Sequence, residues 1–173
     1  MESRKHSHQE QGSIKVKEGT EKTVNQKELL LKVFTQYPFF HRGLEMCCGD
    51  GQRVRTGRYR GLNLYGTETD KRWANSWLAQ GIDPYIRVCP SYKTPFEDES
   101  FDFVIHPKPI GGSGVLQEIY RIGSRSFWAK CELRPKGRKE PTEWLAEALE
   151  IGFRIEGYTI STENNLILEM RKG

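Results

Sequence analysis

Apolar positions along this chain switch between two periods. Short apolar runs bounded by turn residues alternate with stretches whose apolar positions recur every three or four residues. The runs predict strands at Arg42–Cys47, Leu62–Thr67, Ile86–Cys89, Phe101–His106 and Phe127–Leu133. Between them the helical period predicts a glycine-interrupted helix over Gln52–Tyr59 and another over Lys71–Gln80, stopped by Gly81. Val115, Leu116, Ile119 and Ile122 mark one face of a third helix, Val115–Ile122. A fourth begins at Thr142, with Pro141 at its start and Gly152 as its stop. Phe153–Ser161 and Leu166–Arg171 then read as a hairpin around Asn164-Asn165. Strand–helix alternation closing on a hairpin predicts an α/β fold: a mostly parallel sheet, a C-terminal antiparallel hairpin, and helices on both faces.

The first 24 residues break this pattern. They contain no aromatic residue and no leucine, and are rich in Lys, Glu, Gln, Ser and His. Such a segment cannot bury enough apolar surface to order itself, so residues 1–24 are expected to be a disordered polar tail rather than a metal site at His6 and His8. Asn25 with Glu28 three residues on reads as a capping box, followed by Leu29, Leu30, Val33, Phe34 and Tyr37 at helical spacing. Residues 25–173 are expected to form one domain, and no internal repeat is visible.

Composition narrows the class. The chain has 173 residues, 29% of them charged, with a formal net charge of +4, too mild an excess to demand nucleic acid by itself. No run approaches the roughly 18 apolar residues of a membrane span. The N-terminus lacks the apolar region of a secretory signal. The four cysteines include an adjacent pair, Cys47 and Cys48, and lack the paired spacing of a zinc site. The expectation is a reduced, cytoplasmic protein with no metal and no membrane partner.

Candidate chemistry concentrates in one stretch. Leu44-Glu45-Met46-Cys47-Cys48-Gly49-Asp50-Gly51 is an apolar run ending in a carboxylate and then a small-residue turn. A second apolar run ends at Gly66-Thr67-Glu68-Thr69-Asp70. In a parallel α/β sheet this pairing presents a nucleotide-like ligand at the ends of the first two strands. Glycines admit the ligand close to the backbone, and the second carboxylate is placed to accept hydrogen bonds from two ribose hydroxyls. A dinucleotide is disfavoured. The G-x-G-x-x-G fingerprint has Val54 in place of its third glycine, and Asp50 would repel a pyrophosphate. A nucleoside without phosphates fits better.

Here the chain resembles the class I S-adenosylmethionine-dependent methyltransferases. Glu45, Cys47, Gly49 and Gly51 fall on the family's acid-x-G-x-G-x-G motif, with Cys47 replacing the first glycine. Gly66, Thr67 and Glu68 match its second motif. Thr94-Pro95-Phe96-Glu97-Asp98-Glu99-Ser100-Phe101-Asp102-Phe103-Val104 resembles its L-P-F-x-D-x-S-F-D-x-V run. The resemblance spans roughly residues 27–173. It implies a Rossmann-like fold and S-adenosylmethionine as cofactor, held by Glu45, Cys47, Gly49, Asp50, Gly51, Glu68, Thr69, Ser91, Tyr92 and His106. It departs at Pro90-Ser91, where the family often has an acid for the adenine amine. It departs again at His106-Pro107-Lys108-Pro109, which echoes an Asn/Asp-Pro-Pro-aromatic motif without its amide and aromatic.

Catalysis is expected beside His106, read as a general base after the fourth strand or as a hydrogen-bonded strand-end histidine. The cysteines read as small fillers of a tight turn, because no activating base is identifiable from sequence. Trp73 and Trp77 read as packing or rim residues rather than a base-stacking platform. Two basic clusters, Arg53, Arg55, Arg58, Arg60 and Arg134, Lys136, Arg138, Lys139, suggest an acidic acceptor such as nucleic acid or another polyanion, or ordinary solvated loops. A methyltransferase of unidentified acceptor is the leading expectation. The alternative is a catalytically degenerate cofactor-binding partner subunit, suggested by the short segment from His106 to Ser113.

Overall fold

The computed structural model describes residues 42–110, 114–133, 141–160 and 166–173. The polar tail, the helix capped by Asn25, the basic cluster Arg134–Lys139 and the Asn164-Asn165 turn lie outside the described residues. The elements run β1 (Arg42–Met46), α1 (Gln52–Tyr59), β2 (Asn63–Glu68), α2 (Ala74–Ala79), β3 (Ile86–Val88), β4 (Phe101–Ile110), α3 (Val115–Ile122), β5 (Gly123–Leu133), α4 (Pro141–Ile151), β6 (Phe153–Ile160) and β7 (Leu166–Lys172). They build a seven-stranded sheet of order β3-β2-β1-β4-β5-β7-β6. The five strands β1 to β5 pair parallel, and β7 inserts antiparallel between β5 and β6. The expected α/β architecture and terminal hairpin are therefore present.

Helices cover both faces. Leu64 and Gly66 of β2 face α1: a Cβ on Gly57 would meet the Leu64 side chain, and one on Gly66 would meet Cys48 and Val54. Tyr65 projects to the other face, as strand alternation requires, and packs on the main core. That core joins Leu44, Met46, Phe101 and Val104 to the apolar stripe of α3, to Trp144 and Ala148 of α4, and to Leu168 and Met170 of β7. Each large side chain buried there stabilises the fold by about 1.5–3 kcal/mol. Cys48, Val54, Trp77, Ile82 and Ile86 form a second cluster under the cofactor-type turn.

Three elements differ from expectation. First, β4 does not end at His106 but continues through Pro107 and Pro109 to Ile110. Proline argues against a central strand because it cannot donate to the ladder. Yet β1 pairs with β4 only as far as Ile105, and the β4–β5 register shifts between His106 and Ile110. Beyond Ile105 one side of β4 thus has no paired strand among the described residues. Second, β5 starts at Gly123, directly after α3, with a register shift opposite Phe101 and Phe103 that absorbs its polar start. Third, the helix over Lys71–Gln80 is split into a 3-10 turn, Lys71–Trp73, and α2. The Asp70 carboxylate accepts the Arg72 N–H at 3.0 Å and tightens that first turn. Among the described residues no helix is long and apolar enough to cross a membrane.

Candidate functional site

β1 ends against the turn Cys47–Gly51 at the carboxyl edge of the sheet. Cys47, Gly49 and Gly51 all adopt left-handed backbone, with φ of 55°, 57° and 77°. The motif's first glycine position is therefore left-handed here too, although a cysteine fills it. Gly51 is needed for packing: a Cβ there would lie 2.5 Å from Ile82 Cδ1. Gly66 likewise makes room for the Cys48 thiol, 2.8 Å from its imagined Cβ. Gly51, read as room for a ligand, and Gly66, read as part of the second motif, thus also let the turn sit tightly on its own underside.

The turn is clamped from three sides. Trp77 donates its indole N–H to Gly49 O at 2.8 Å, satisfying the one donor of a buried ring. Gln80 donates to Asp50 O at 2.9 Å. Glu68, buried at the end of β2, accepts the Gly49 N–H at 2.8 Å on Oε2. Its Oε1 accepts the N–H groups of Thr69 at 2.8 Å and Asp70 at 3.1 Å. This carboxylate bridges the first turn and the β2 exit. Asp50 is exposed and accepts the Gln52 N–H, closing the entry to α1.

Glu45 is 1% exposed, and Arg53 from the first turn of α1 donates to its Oε1. From the sequence, Arg53 falls in a basic cluster read as a contact for a polyanion or as an ordinary solvated loop. The signal for its pairing was available in retrospect: a buried acid needs a partner, and Arg53 is the first cation after the turn. Arg58 is also engaged, with its guanidinium 3.2 Å from the Tyr85 ring centroid. Arg55 and Arg60 are exposed.

Cys47, Ser91 and His106 converge from three separate segments. The Cys47 sulfur lies 3.2 Å from Ser91 Oγ and 3.6 Å from His106 Nε2. His106 is 3% exposed and sits within β4, opposite Cys131 of β5. Tyr92 is largely exposed, beside Gly114 at the start of α3. Burial, reinforced by Glu45 and Glu68, pushes the Cys48 thiol well above the usual cysteine range. Burial alone does the same to Cys131. Burial and then Glu118 push Cys89 up to about 11. Among the described residues no group of three His, Cys, Asp or Glu side chains is arranged to hold a metal.

The third sequence block is a structural tie. Thr94 donates its N–H and hydroxyl to Glu118 Oε1 of α3 at 2.7 and 2.6 Å. Arg121 bridges Glu118 and Asp98, each at 2.6 Å. Asp102 accepts the Arg42 N–H at 2.9 Å, and Phe96 packs edge-on against Phe101. The block thereby sets where β4 enters the sheet.

No protein-family model and no curated protein sequence matches the chain. Solved structures do. A TehB-like methyltransferase from Corynebacterium glutamicum aligns over 87% of this chain and 89% of its own, at 17% identity and a TM-score of 0.68. Geranyl diphosphate C-methyltransferase from Streptomyces coelicolor, with S-adenosyl-L-homocysteine bound, aligns over 85% and 81% at 10% identity and a TM-score of 0.62. This chain has the Rossmann-like fold of the S-adenosylmethionine-dependent methyltransferases. The cyclase SpnF shares it as well, at 15% identity, a TM-score of 0.59, and 84% and 80% coverage. At such identities the likeness is one of fold, and the chemistry has to be argued from the site.

Proposed function

We propose that the chain is an S-adenosylmethionine-dependent methyltransferase, with the nucleoside seated over the Cys47–Gly51 turn and its ribose on Glu68. The observation that carries this reading is the bridging position of Glu68. It ends β2, reaches Gly49 across the strand gap, and marks the crevice where ligands bind in parallel α/β sheets. The donor set fits a cationic nucleoside. Asp50 and Glu68 are carboxylates and Arg53 is bound to Glu45, so the turn attracts a sulfonium and repels a pyrophosphate.

Such a cofactor supplies a methyl group on a positively charged sulfur. The residues of the chain contribute position. The left-handed turn holds its backbone against the ligand, Glu68 orients the ribose, and Ser91 after β3 and His106 within β4 flank the Cys47 side of the turn. Among the described residues, His106 is the imidazole available in this reading to take a proton leaving the acceptor. Of the first basic cluster, Arg53 and Arg58 are engaged within the fold while Arg55 and Arg60 are exposed, and the second cluster lies outside the described residues.

Calorimetric titration with S-adenosylhomocysteine tests it. The wild type should bind and should ignore NAD. Glu68→Ala should weaken binding by about 1–3 kcal/mol, because ribose hydroxyls lose their acceptor. No binding by the wild type, or equal binding by both proteins, overturns the proposal. Residues 111–114 are all that separate β4 from α3, which leaves little chain for recognising an acceptor. That favours a second reading, a partner subunit, which tight product binding with no turnover on any acceptor supports.

A further inference from the structure

Cys47 is set apart from the other cysteines by its surroundings. Cys48 and Cys131 are buried, and Cys89 is half-buried beyond β3. Cys47 is also half-buried, but an imidazole nitrogen lies 3.6 Å from its sulfur and a hydroxyl oxygen 3.2 Å away. A thiol in reach of an imidazole can pass it a proton and become the far more nucleophilic thiolate. His106 comes from the middle of the sheet and Ser91 from the β3–β4 connection, so the fold assembles this pair and no sequence spacing reveals it. Cys47 itself occupies a left-handed position of the glycine turn, with φ 55°.

We propose that Cys47 and His106 form a thiol–imidazole pair that makes Cys47 a modification site for soft electrophiles, and that a group added there blocks the nucleoside. The last clause rests on the cofactor reading above; the pair itself does not. With iodoacetamide as the probe, a Cys47 Sγ lone pair forms an S–C bond to the reagent methylene. The C–I bond breaks and iodide leaves. The thiol proton moves to His106 Nε2 and from there to water. No oxidant or reductant takes part. The other thiols serve as internal references: burial pushes all three up, helped by Glu45 and Glu68 at Cys48 and by Glu118 at Cys89.

The test is limiting iodoacetamide on the folded full-length chain, with each cysteine quantified by peptide mass spectrometry across a pH series. Cys47 should label at least about tenfold faster than Cys89, with an inflection below the usual cysteine value of about 8.5. His106→Asn should slow Cys47 about tenfold and restore an ordinary thiol profile, while Cys89 is unchanged. Labelling of Cys47 no faster than Cys89, or with an ordinary inflection in the wild type, overturns the pair even if the variant fails to fold. S-adenosylhomocysteine should slow Cys47 labelling, and carbamidomethylated protein should lose affinity for it. If the wild type binds this ligand and labelling proceeds unaffected, the blocking clause falls. If the wild type does not bind it at all, the cofactor reading falls and the pair stands on its rates and pH profile.

Discussion

A methyl group at Gly51 would meet Ile82 Cδ1 at 2.5 Å and Ile86 Cδ1 at 3.0 Å, on a backbone at φ 77°. Overlap and left-handed strain act together, so Gly51→Ala should cost about 2–4 kcal/mol in urea unfolding. A loss below about 1 kcal/mol would mean that the isoleucines give way. Cys47→Gly is the opposite case. Relief of left-handed strain, about 1–2 kcal/mol, is offset by glycine's backbone entropy, about 0.5–1 kcal/mol. The thiol contacts to Ser91 and His106 also go. Stability should stay within about 1 kcal/mol of wild type. That balance explains how a cysteine can occupy a left-handed position at little cost to the fold. A drop of more than about 2 kcal/mol would instead assign a structural role to the thiol contacts. Glycine positions were legible in the sequence; the Ile82 and Trp77 contacts were not, because they join segments far apart along the chain.

At the scale of elements, Glu118 joins α3 to the segment before β4. Burial alone would raise its carboxyl pKa, but hydrogen bonds from Arg121 and Thr94 outweigh that and hold it below the usual value of 4.5. A group whose native value is lowered contributes stability that is complete above its unfolded value and is lost as pH falls through the native one. Glu118→Gln should therefore cost about 1–3 kcal/mol at neutral pH. The gap between its urea midpoint and that of the wild type should shrink on acidification below about pH 4. A constant gap would attribute the loss to shape rather than charge. The block Thr94–Asp102 was legible as a family pattern leading into a strand. Its physical task, an ion-pair tie between a loop and a helix, needed coordinates, since Asp98, Glu118 and Arg121 meet only after α3 folds back. The strand expected over Phe101–His106 runs on through two prolines to Ile110, where β1 no longer pairs with it.

At the scale of the whole molecule, Leu168 and Met170 of β7 share one core with Leu44 of β1 and the helices α3 and α4. Removing a side chain at the C-terminal hairpin should thus weaken the entire sheet. Leu168→Ala should cost about 2–5 kcal/mol. Its far-UV circular dichroism and tryptophan fluorescence should shift to the same lower midpoint, because Trp77 and Trp144 report from the two clusters. Two separate midpoints would show that the hairpin and the β1–β4 half unfold independently.

The sequence by itself determined the element order, the parallel character of the sheet, the terminal hairpin and the position of the glycine turn. Each of these is written in local periodicity, stop residues and turn residues, which act over a few neighbours. Only the tertiary structure decided which partners those residues have. It set the Glu68 carboxylate against the Gly49 N–H and brought Ser91 and His106 to the Cys47 sulfur. These contacts depend on strand order, which places β1 between β2 and β4. Neighbours across a sheet carry no short-range signature in the chain, so the chemistry of this edge exists only once the sheet is assembled.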